Sequence, residues 1–296
     1  MVQFIFIFLI SIITQICFAA EKDLLFEGYS KLLSESKSGS KHIGYSINRY
    51  SFDSRKRLFS AIQFTRINTG TESIIESLTA TADENLNPVS YTHTSMLNKK
   101  IRVIDATFKA GKMTAKVREN NKLVRTIHRD IPTGTFLSSF LVYLMLKSKH
   151  GLLPEAKYEY TAIAEEDAAL EKGVAIVGKE EWTKSVRTYR ITNKFKNTDW
   201  ISYVSERGEI LSTESPSVGI KTELVAQPAE ATGSFPLHSE IIKTLFGEIP
   251  SGRRNILSEM AELETEKSKI APGKQQGVPQ GMGIQIKGQP SGTEGQ

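Results

Sequence analysis

Cysteine is almost absent from this chain of 296 residues, since Cys17 is the only one. A single cysteine cannot form an internal disulfide or supply a four-thiolate zinc site. Recognisable catalytic motifs are lacking as well: the sequence has no Gly-x-Ser-x-Gly elbow, no P-loop and no Gly-x-Gly-x-x-Gly fingerprint. Its five histidines are isolated from one another. The sequence therefore predicts no cofactor or metal site and offers no catalytic residue.

Positive charge is concentrated in one part of the chain. Residues 99–129 hold ten Lys or Arg against two acids, a local charge of +8, whereas residues 155–181 hold eight acids against three bases, a local charge of −5. Strand alternation places Lys112, Lys116 and Arg118 on one face. Such a face could meet anionic lipid head groups or an acidic partner, or could simply keep the surface soluble. Nucleic acid is not expected, because the stripe lacks interleaved aromatic residues.

The N-terminus has the composition of a secretory signal peptide. An uncharged apolar run begins at Phe4 and ends in small residues, and cleavage after Ala19 is favoured. The alternatives are an uncleaved anchor, although the run is shorter than a bilayer span, and a lipid-modified Cys17. Residues 1–19 are thus expected to direct export to the periplasm or exterior of a bacterium. The mature chain would then have no cysteine and no transmembrane segment.

The C-terminus has the composition of a disordered tail. Residues 271–296 contain seven Gly, three Pro and six Gln and very few large apolar side chains. A segment of this kind cannot bury enough surface to offset the entropy of ordering it. We therefore predict a tail over residues 269–296 and a single β-rich domain over residues 20–268, which is apolar enough to form a core.

The middle of the chain has the period-two pattern of antiparallel strands. In the segment from Lys112 to Arg118, Met113, Ala115 and Val117 alternate with polar residues, and turn-forming residues flank both ends. About twelve such segments are predicted: 43–52, 58–67, 73–80, 89–96, 101–108, 112–118, 123–128, 158–164, 174–178, 185–195, 200–205 and 209–213.

One segment, residues 134–150, differs from this pattern and predicts an apolar helix. Its apolar residues cover most helical faces, so the helix must be enclosed, yet it is too short to span a bilayer. We predict an α+β fold, mostly antiparallel, in which a large curved sheet of about 10–12 strands wraps around this helix. Minor C-terminal helices are predicted over residues 237–246 and 255–268.

The acidic run Glu165, Glu166 and Asp167 falls between two predicted strands. Paired carboxylates can serve in acid–base catalysis. A solvated acidic loop is the simpler interpretation here, and calcium binding is a lesser alternative because the expected alternation of ligands is not evident.

Short stretches resemble bacterial periplasmic proteins of the lipoprotein-carrier type, and also the β-rich modules found before bacterial transglutaminase-like domains. They are Ile43-Gly44-Tyr45, Gly151-Leu152-Leu153-Pro154 leading into Tyr158, and Trp200 with Glu206 to Leu211. The resemblance is at the level of the fold. For the carriers it implies a curved antiparallel sheet that half-encloses helices and an apolar cavity for acyl chains; it carries over no catalytic residue.

Two functional hypotheses follow. In the first, the chain is an exported carrier or sensor that binds a lipid or other apolar ligand inside a half-barrel, with basic residues at the rim; the same residues could instead fill a dry core. In the second, it is a non-enzymatic structural or interaction module of the cell envelope, tethered by its tail. An enzyme of unrecognised type is a third alternative. The predicted lining residues are Met113, Val117, Phe136, Phe140, Leu141, Leu144 and Met145, and the predicted rim residues are Lys112, Lys116 and Arg118.

Overall fold

The protein is described by a computed structural model that covers residues 23–37 and 39–270. The predicted signal peptide, residues 1–19, therefore lies outside the described residues. The same holds for the predicted tail beyond Ile270.

Fifteen strands and four α-helices make up the described chain. The strands are β1 (Asp23–Ser36), β2 (Gly39–Asp53), β3 (Leu58–Asn68), β4 (Ser73–Asp83), β5 (Pro88–Leu97), β6 (Lys100–Lys109), β7 (Lys112–Glu119), β8 (Lys122–Asp130), β9 (Phe136–Leu137), β10 (Lys157–Ala164), β11 (Ala169–Thr183), β12 (Val186–Phe195), β13 (Thr198–Ser205), β14 (Ile210–Ser215) and β15 (Ile220–Val225). The helices are α1 (Leu141–Lys147), α2 (Pro228–Thr232), α3 (Ser239–Phe246) and α4 (Ile256–Ile270).

All fifteen strands belong to one open sheet. Its order is β8-β7-β6-β5-β4-β3-β2-β1-β15-β14-β13-β12-β11-β10-β9, and every pair is antiparallel except β9 with β10. The chain runs outward from β1 to one edge and then back from the other edge to β15, which pairs with β1. The predicted α+β, mostly antiparallel fold is confirmed. Strands β1, β9 and β15 are additional to the twelve predicted.

The sheet bends so that its two halves share one core on the concave side. Ile104 on β6 and Met113 on β7 belong to the same buried cluster as Phe136 on β9 and Ile163 on β10. Strand β9 also lies against β4. Apolar burial of this kind is the main stabilising contribution to the fold, at roughly 25 cal/mol per Å² of apolar surface.

The helix predicted over residues 134–150 is shorter in the structure. Phe136 and Leu137 pair with Ala162 and Ile163 of β10 as a short parallel strand, and a 3₁₀ turn (Ser138–Phe140) follows before α1 begins. At the other end, the Ser148 hydroxyl donates to the Met145 carbonyl at 2.7 Å. Backbone pairing and this side-chain hydrogen bond thus replace the first and last turns of the predicted helix.

The outer face of the sheet carries α2 and α3. Ile242 and Phe246 of α3 pack against Tyr45, Ile47 and Phe64 in a second buried cluster. The two predicted C-terminal helices are confirmed as α3 and α4, whereas α2 was not predicted.

A buried ion pair between Glu27 and Arg49 attaches the segment that follows α3 to the sheet. Arg49 Nε donates to Glu27 Oε2 at 2.8 Å, and Glu27 Oε1 accepts the Gly252 backbone N–H at 2.8 Å. Arg49 also donates to the Phe246 carbonyl at 3.0 Å. Because the side chain of Glu27 is only 3% exposed, loss of its cationic partner would leave a buried charge unpaired.

We therefore expect Arg49→Met to lower the free energy of unfolding by about 3 kcal/mol, the usual cost of breaking a buried pair. The matched control is Arg118→Met, which removes the more exposed pair with Asp105 and should cost less than about 1 kcal/mol. Urea denaturation measures both values. Equal losses in the two variants would contradict the structural role of the Glu27–Arg49 pair.

Candidate ligand-binding cavity

A cavity of about 280 Å³ lies on the concave face, beneath α1 and the central strands. The lining residues come from β1, β2, β3, β14, β15, α1 and two turns, and none of them is charged. They are Phe26, Ser30, Ser46, Asn48, Tyr50, Gln63, Thr65, Ser139, Val142, Tyr143, Gly208, Ile210, Thr213 and Thr222. Aromatic and aliphatic surfaces thus alternate with hydroxyl and amide groups, an arrangement typical of sites for small neutral or amphipathic molecules.

Tyr50 is the central polar group of this cavity. Its hydroxyl donates to the Ser139 carbonyl at 3.1 Å and accepts from Gln63 Nε2 at 2.7 Å. Burial raises the pKa of Tyr50 to about 12, although the Gln63 hydrogen bond opposes this shift. Burial also raises the pKa of Tyr143, whose ring lies 5.2 Å from that of Tyr50. At neutral pH both phenols are therefore protonated hydrogen-bond donors.

The turn at Gly208 closes one side of the cavity. Its φ of +83° is in the left-handed region, and a Cβ atom there would lie 2.5 Å from Leu146 Cδ1 and 3.2 Å from Val142 Cγ1. Only glycine allows the turn between β13 and β14 to approach α1 this closely.

A second cavity of about 300 Å³ adjoins the first, since both are lined by Gln63, Thr65 and Ser139. We call the first the neutral cavity and the second the acidic cavity. The acidic cavity is further lined by Glu76, Ser77, Leu78, His93, Ser138, Glu165 and Glu166. The two cavities therefore share part of their wall and differ in the charge of their other lining residues.

Glu165 is buried in the wall of the acidic cavity, with 3% of its surface exposed. Its carboxylate accepts the Ser138 hydroxyl at 2.5 Å and the Ser139 backbone N–H at 3.1 Å. No Lys or Arg of the described residues forms an ion pair with it. Burial raises the pKa of Glu165, and the hydrogen bonds from Ser138 and Ser139 only partly oppose that effect.

The expectation of a solvated acidic loop is therefore wrong for Glu165. It holds for Glu166, which is exposed and forms an ion pair with Lys196 Nζ at 2.7 Å. Glu165 is the first residue of the turn that follows β10, where its carboxylate is held inward by the hydrogen bonds from Ser138 and Ser139. Glu166 and Asp167 continue the same turn.

Two other titratable groups in the acidic cavity, Glu76 and His93, are displaced toward their neutral forms. Burial raises the pKa of Glu76, and the charge of Glu166 adds to the effect. Burial lowers the pKa of His93, which is 9% exposed, and thereby favours a neutral imidazole. The hydroxyl oxygen of Ser139, which lines both cavities, is buried and has no well-formed hydrogen bond within residues 23–37 and 39–270, only a weak interaction with Glu165.

The seven predicted lining residues lie close to this site but do not line either cavity. Most belong to the core shared by the two halves of the sheet, with Leu141 and Leu144 at its margin. Met145 belongs to a separate cluster below α1. The core residues are Met113, Val117, Phe136 and Phe140. Their role in ligand binding stays a prediction, whereas Ser139, Val142 and Tyr143 from the same segment do line the neutral cavity.

The three predicted rim residues project from the outer face of β7. Met113, Ala115 and Val117 on the same strand are buried on the concave side, so alternation turns Lys112, Lys116 and Arg118 away from it. Arg118 pairs there with Asp105. The polar wall of the neutral cavity could have been recognised in the sequence, because Ser46, Asn48 and Tyr50 alternate on β2.

No protein-family model matches the chain, and no curated protein matches it. Two solved structures are similar at low identity. A β-barrel-like protein of domain of unknown function DUF1849 from Brucella abortus has 13% identity and a TM-score of 0.49, covering 68% of this chain and 96% of its own. A DUF1089 family protein from Pseudomonas aeruginosa has 9% identity and a TM-score of 0.34, covering 58% of this chain and 90% of its own. At this level of similarity neither structure identifies a function.

The described residues lack a metal-binding cluster and a membrane-spanning helix. Residues 23–37 and 39–270 contain no group of three or more His, Cys, Asp or Glu side chains that could hold a metal ion. None of the helices in the same ranges has both the length and the hydropathy needed to cross a membrane.

The raised pKa of Glu165 leads to a prediction about stability and pH. When the pH rises above 4.5, the carboxyl of the unfolded chain ionises, while the buried carboxyl of the folded chain retains its proton. This group therefore lowers the free energy of unfolding as the pH rises through its folded pKa. Glu165→Gln cannot ionise. We expect the melting temperature of this variant, relative to that of the wild type, to increase as the pH rises above about 4.5.

Thermal melts between pH 4 and 8 measure the effect. Glu262→Gln, at an exposed position on α4, is the matched control and should follow the wild type throughout. If the melting temperature of Glu165→Gln relative to the wild type stays constant or falls as the pH rises, the raised pKa of Glu165 is contradicted.

Proposed function

We propose that the protein is an exported carrier or sensor that binds a small, largely apolar ligand in the neutral cavity. The observation that carries the proposal is a concave-face cavity of about 280 Å³ without a charged lining residue. Its volume is at the lower end of the range for small-molecule sites and suits one short chain or ring system better than a lipid with several chains. The N-terminal sequence and the resemblance to lipoprotein carriers support export and an apolar ligand.

The chemistry of the lining residues favours binding. Tyr50 and Gln63 form a fixed hydrogen-bonded pair, which can orient a polar group of the ligand. Phe26, Val142 and Ile210 supply apolar surface for the rest of the molecule. Protonated phenols of raised pKa are donors at neutral pH and are not activated nucleophiles.

We expect Val142→Trp to fill the neutral cavity and to weaken binding of the uncharged fluorescent probe N-phenyl-1-naphthylamine at least about tenfold, or about 1.4 kcal/mol. Ile210→Trp, at a half-exposed lining position, is a second blocking variant should the first be unstable. The matched control, Val218→Trp, alters an exposed turn and should bind the probe as the wild type does.

Fluorescence titration measures these affinities. Native mass spectrometry of the purified protein is an independent test for a retained ligand. A wild-type protein that takes up no probe and carries no ligand would overturn the proposal.

A second candidate function, docking of an envelope protein, is favoured by the edge strand β8. Leu123 and Val124 are 58% and 53% exposed on this strand, and among the described strands only β7 pairs with it. An unpaired edge can accept an extended partner segment as an additional strand. The basic charge of residues 99–129 would favour an acidic segment.

Replacing both exposed side chains, as Leu123→Lys with Val124→Lys, should remove a specific crosslinked adduct formed in producing cells. Thermal stability should change by less than about 0.5 kcal/mol, because neither side chain is buried. The single exchange Val218→Lys serves as the control. Docking through β8 is excluded if the adduct persists at wild-type levels in the double variant.

A further inference from the structure

The acidic cavity has a strong charge asymmetry among its lining residues. Three carboxyl groups, from Glu76, Glu165 and Glu166, line it, whereas no Lys or Arg does. The two nearby cations interact with the outer turn: Lys196 with the carboxylates of Glu166 and Asp167, and Arg102 with the Glu166 carbonyl at 3.2 Å. No Lys or Arg in the described part of the chain therefore pairs with Glu165 or Glu76.

A buried carboxylate without a cation is costly, so Glu165 without a ligand favours its protonated form, whereas a bound cation would favour the ionised form. Glu165 receives hydrogen bonds only from neutral donors, Ser138 and Ser139, and its side chain borders a cavity with room for another group. An ammonium group would bring both the missing positive charge and up to three donors. A carboxylate or phosphate would find no cationic partner among the residues that line this cavity.

Ser139 provides an independent observation at the junction of the cavities. Its hydroxyl oxygen is buried and lines both cavities, and within the described residues it has no well-formed hydrogen bond, only a weak interaction with Glu165. Buried polar atoms in folded proteins are nearly always hydrogen-bonded, so this hydroxyl has room for a partner in either cavity. A ligand that passes from the neutral into the acidic cavity would pass this hydroxyl.

From these observations we propose that the ligand is a cationic amphiphile, with an ammonium group held by Glu165 and Glu76 in the acidic cavity and its apolar part in the neutral cavity. This inference rests on the proposed function, because it names the ligand class of the same site. It replaces the sequence-based expectation of basic rim residues for an acidic head group.

The test compares three probes that share one chain length: n-octylamine, 1-octanol and octanoate. Each displaces N-phenyl-1-naphthylamine from the full-length protein at pH 7, where the amine is protonated. We expect the amine to displace the probe at concentrations at least about tenfold lower than the alcohol does, and octanoate to be the weakest of the three.

The expected effect of Glu165→Gln is to bring the amine to within about twofold of the alcohol and to leave the alcohol unchanged. Glu76→Gln serves the same purpose should the first variant fail to fold. Glu262→Gln is the control and should retain the full preference for the amine.

Each outcome distinguishes this inference from the proposed function. Displacement by octanol without a preference for the amine, or with a preference for octanoate, would overturn the ammonium site and leave the apolar cavity intact. A preference for the amine that survives both cavity variants would overturn the role of Glu165 and Glu76. No displacement by any of the three probes would overturn the ammonium site, whereas a protein that neither takes up N-phenyl-1-naphthylamine nor carries a ligand would overturn both proposals.

Discussion

The inward bend of the sheet depends on packing of the segment from Phe136 to Lys147 between its two halves. An open sheet of fifteen strands has an extensive concave face, and its apolar side chains must be removed from water for the fold to be stable. Phe136 and Leu137 pair with β10 while lying against β4, so one short stretch contacts both halves. Phe140 continues this contact in the shared core. The curvature and the core therefore have a common cause.

The same packing creates the polar interior of the site. A 3₁₀ turn must follow β9 if α1 is to lie across the concave face, and its backbone groups then need partners inside the protein. Glu165 accepts the Ser139 N–H, and Tyr50 donates to the Ser139 carbonyl. Both polar side chains are thus explained by the insertion of one segment. Any ligand that enters the site meets groups whose positions are already fixed by the fold.

Period-two alternation in the sequence was sufficient to predict the sheet, because most strands have one face in the core and one toward solvent. Strands that do not meet this condition show no clear alternation in the sequence. Strand β1 lies at the centre, where residues from Phe26 to Ser30 are buried on both faces, so no alternation is visible. Strand β9 contains only two residues within an apolar run that favours a helix. Strand β15 is short and largely half-buried.

The candidate site was harder to predict than the fold, for a related physical reason. Sequence hydrophobicity identifies residues that fill space, and Met113, Val117, Phe136 and Phe140 do fill the shared core. A cavity forms instead where packing is incomplete, next to residues such as Ser46, Gln63 and Thr65 that are too polar or too small to fill it. Whether a carboxyl such as Glu165 faces water or the interior depends on where the turn between β10 and β11 lies in the fold. That position is set by pairing between segments distant in the sequence, which a local pattern does not reveal.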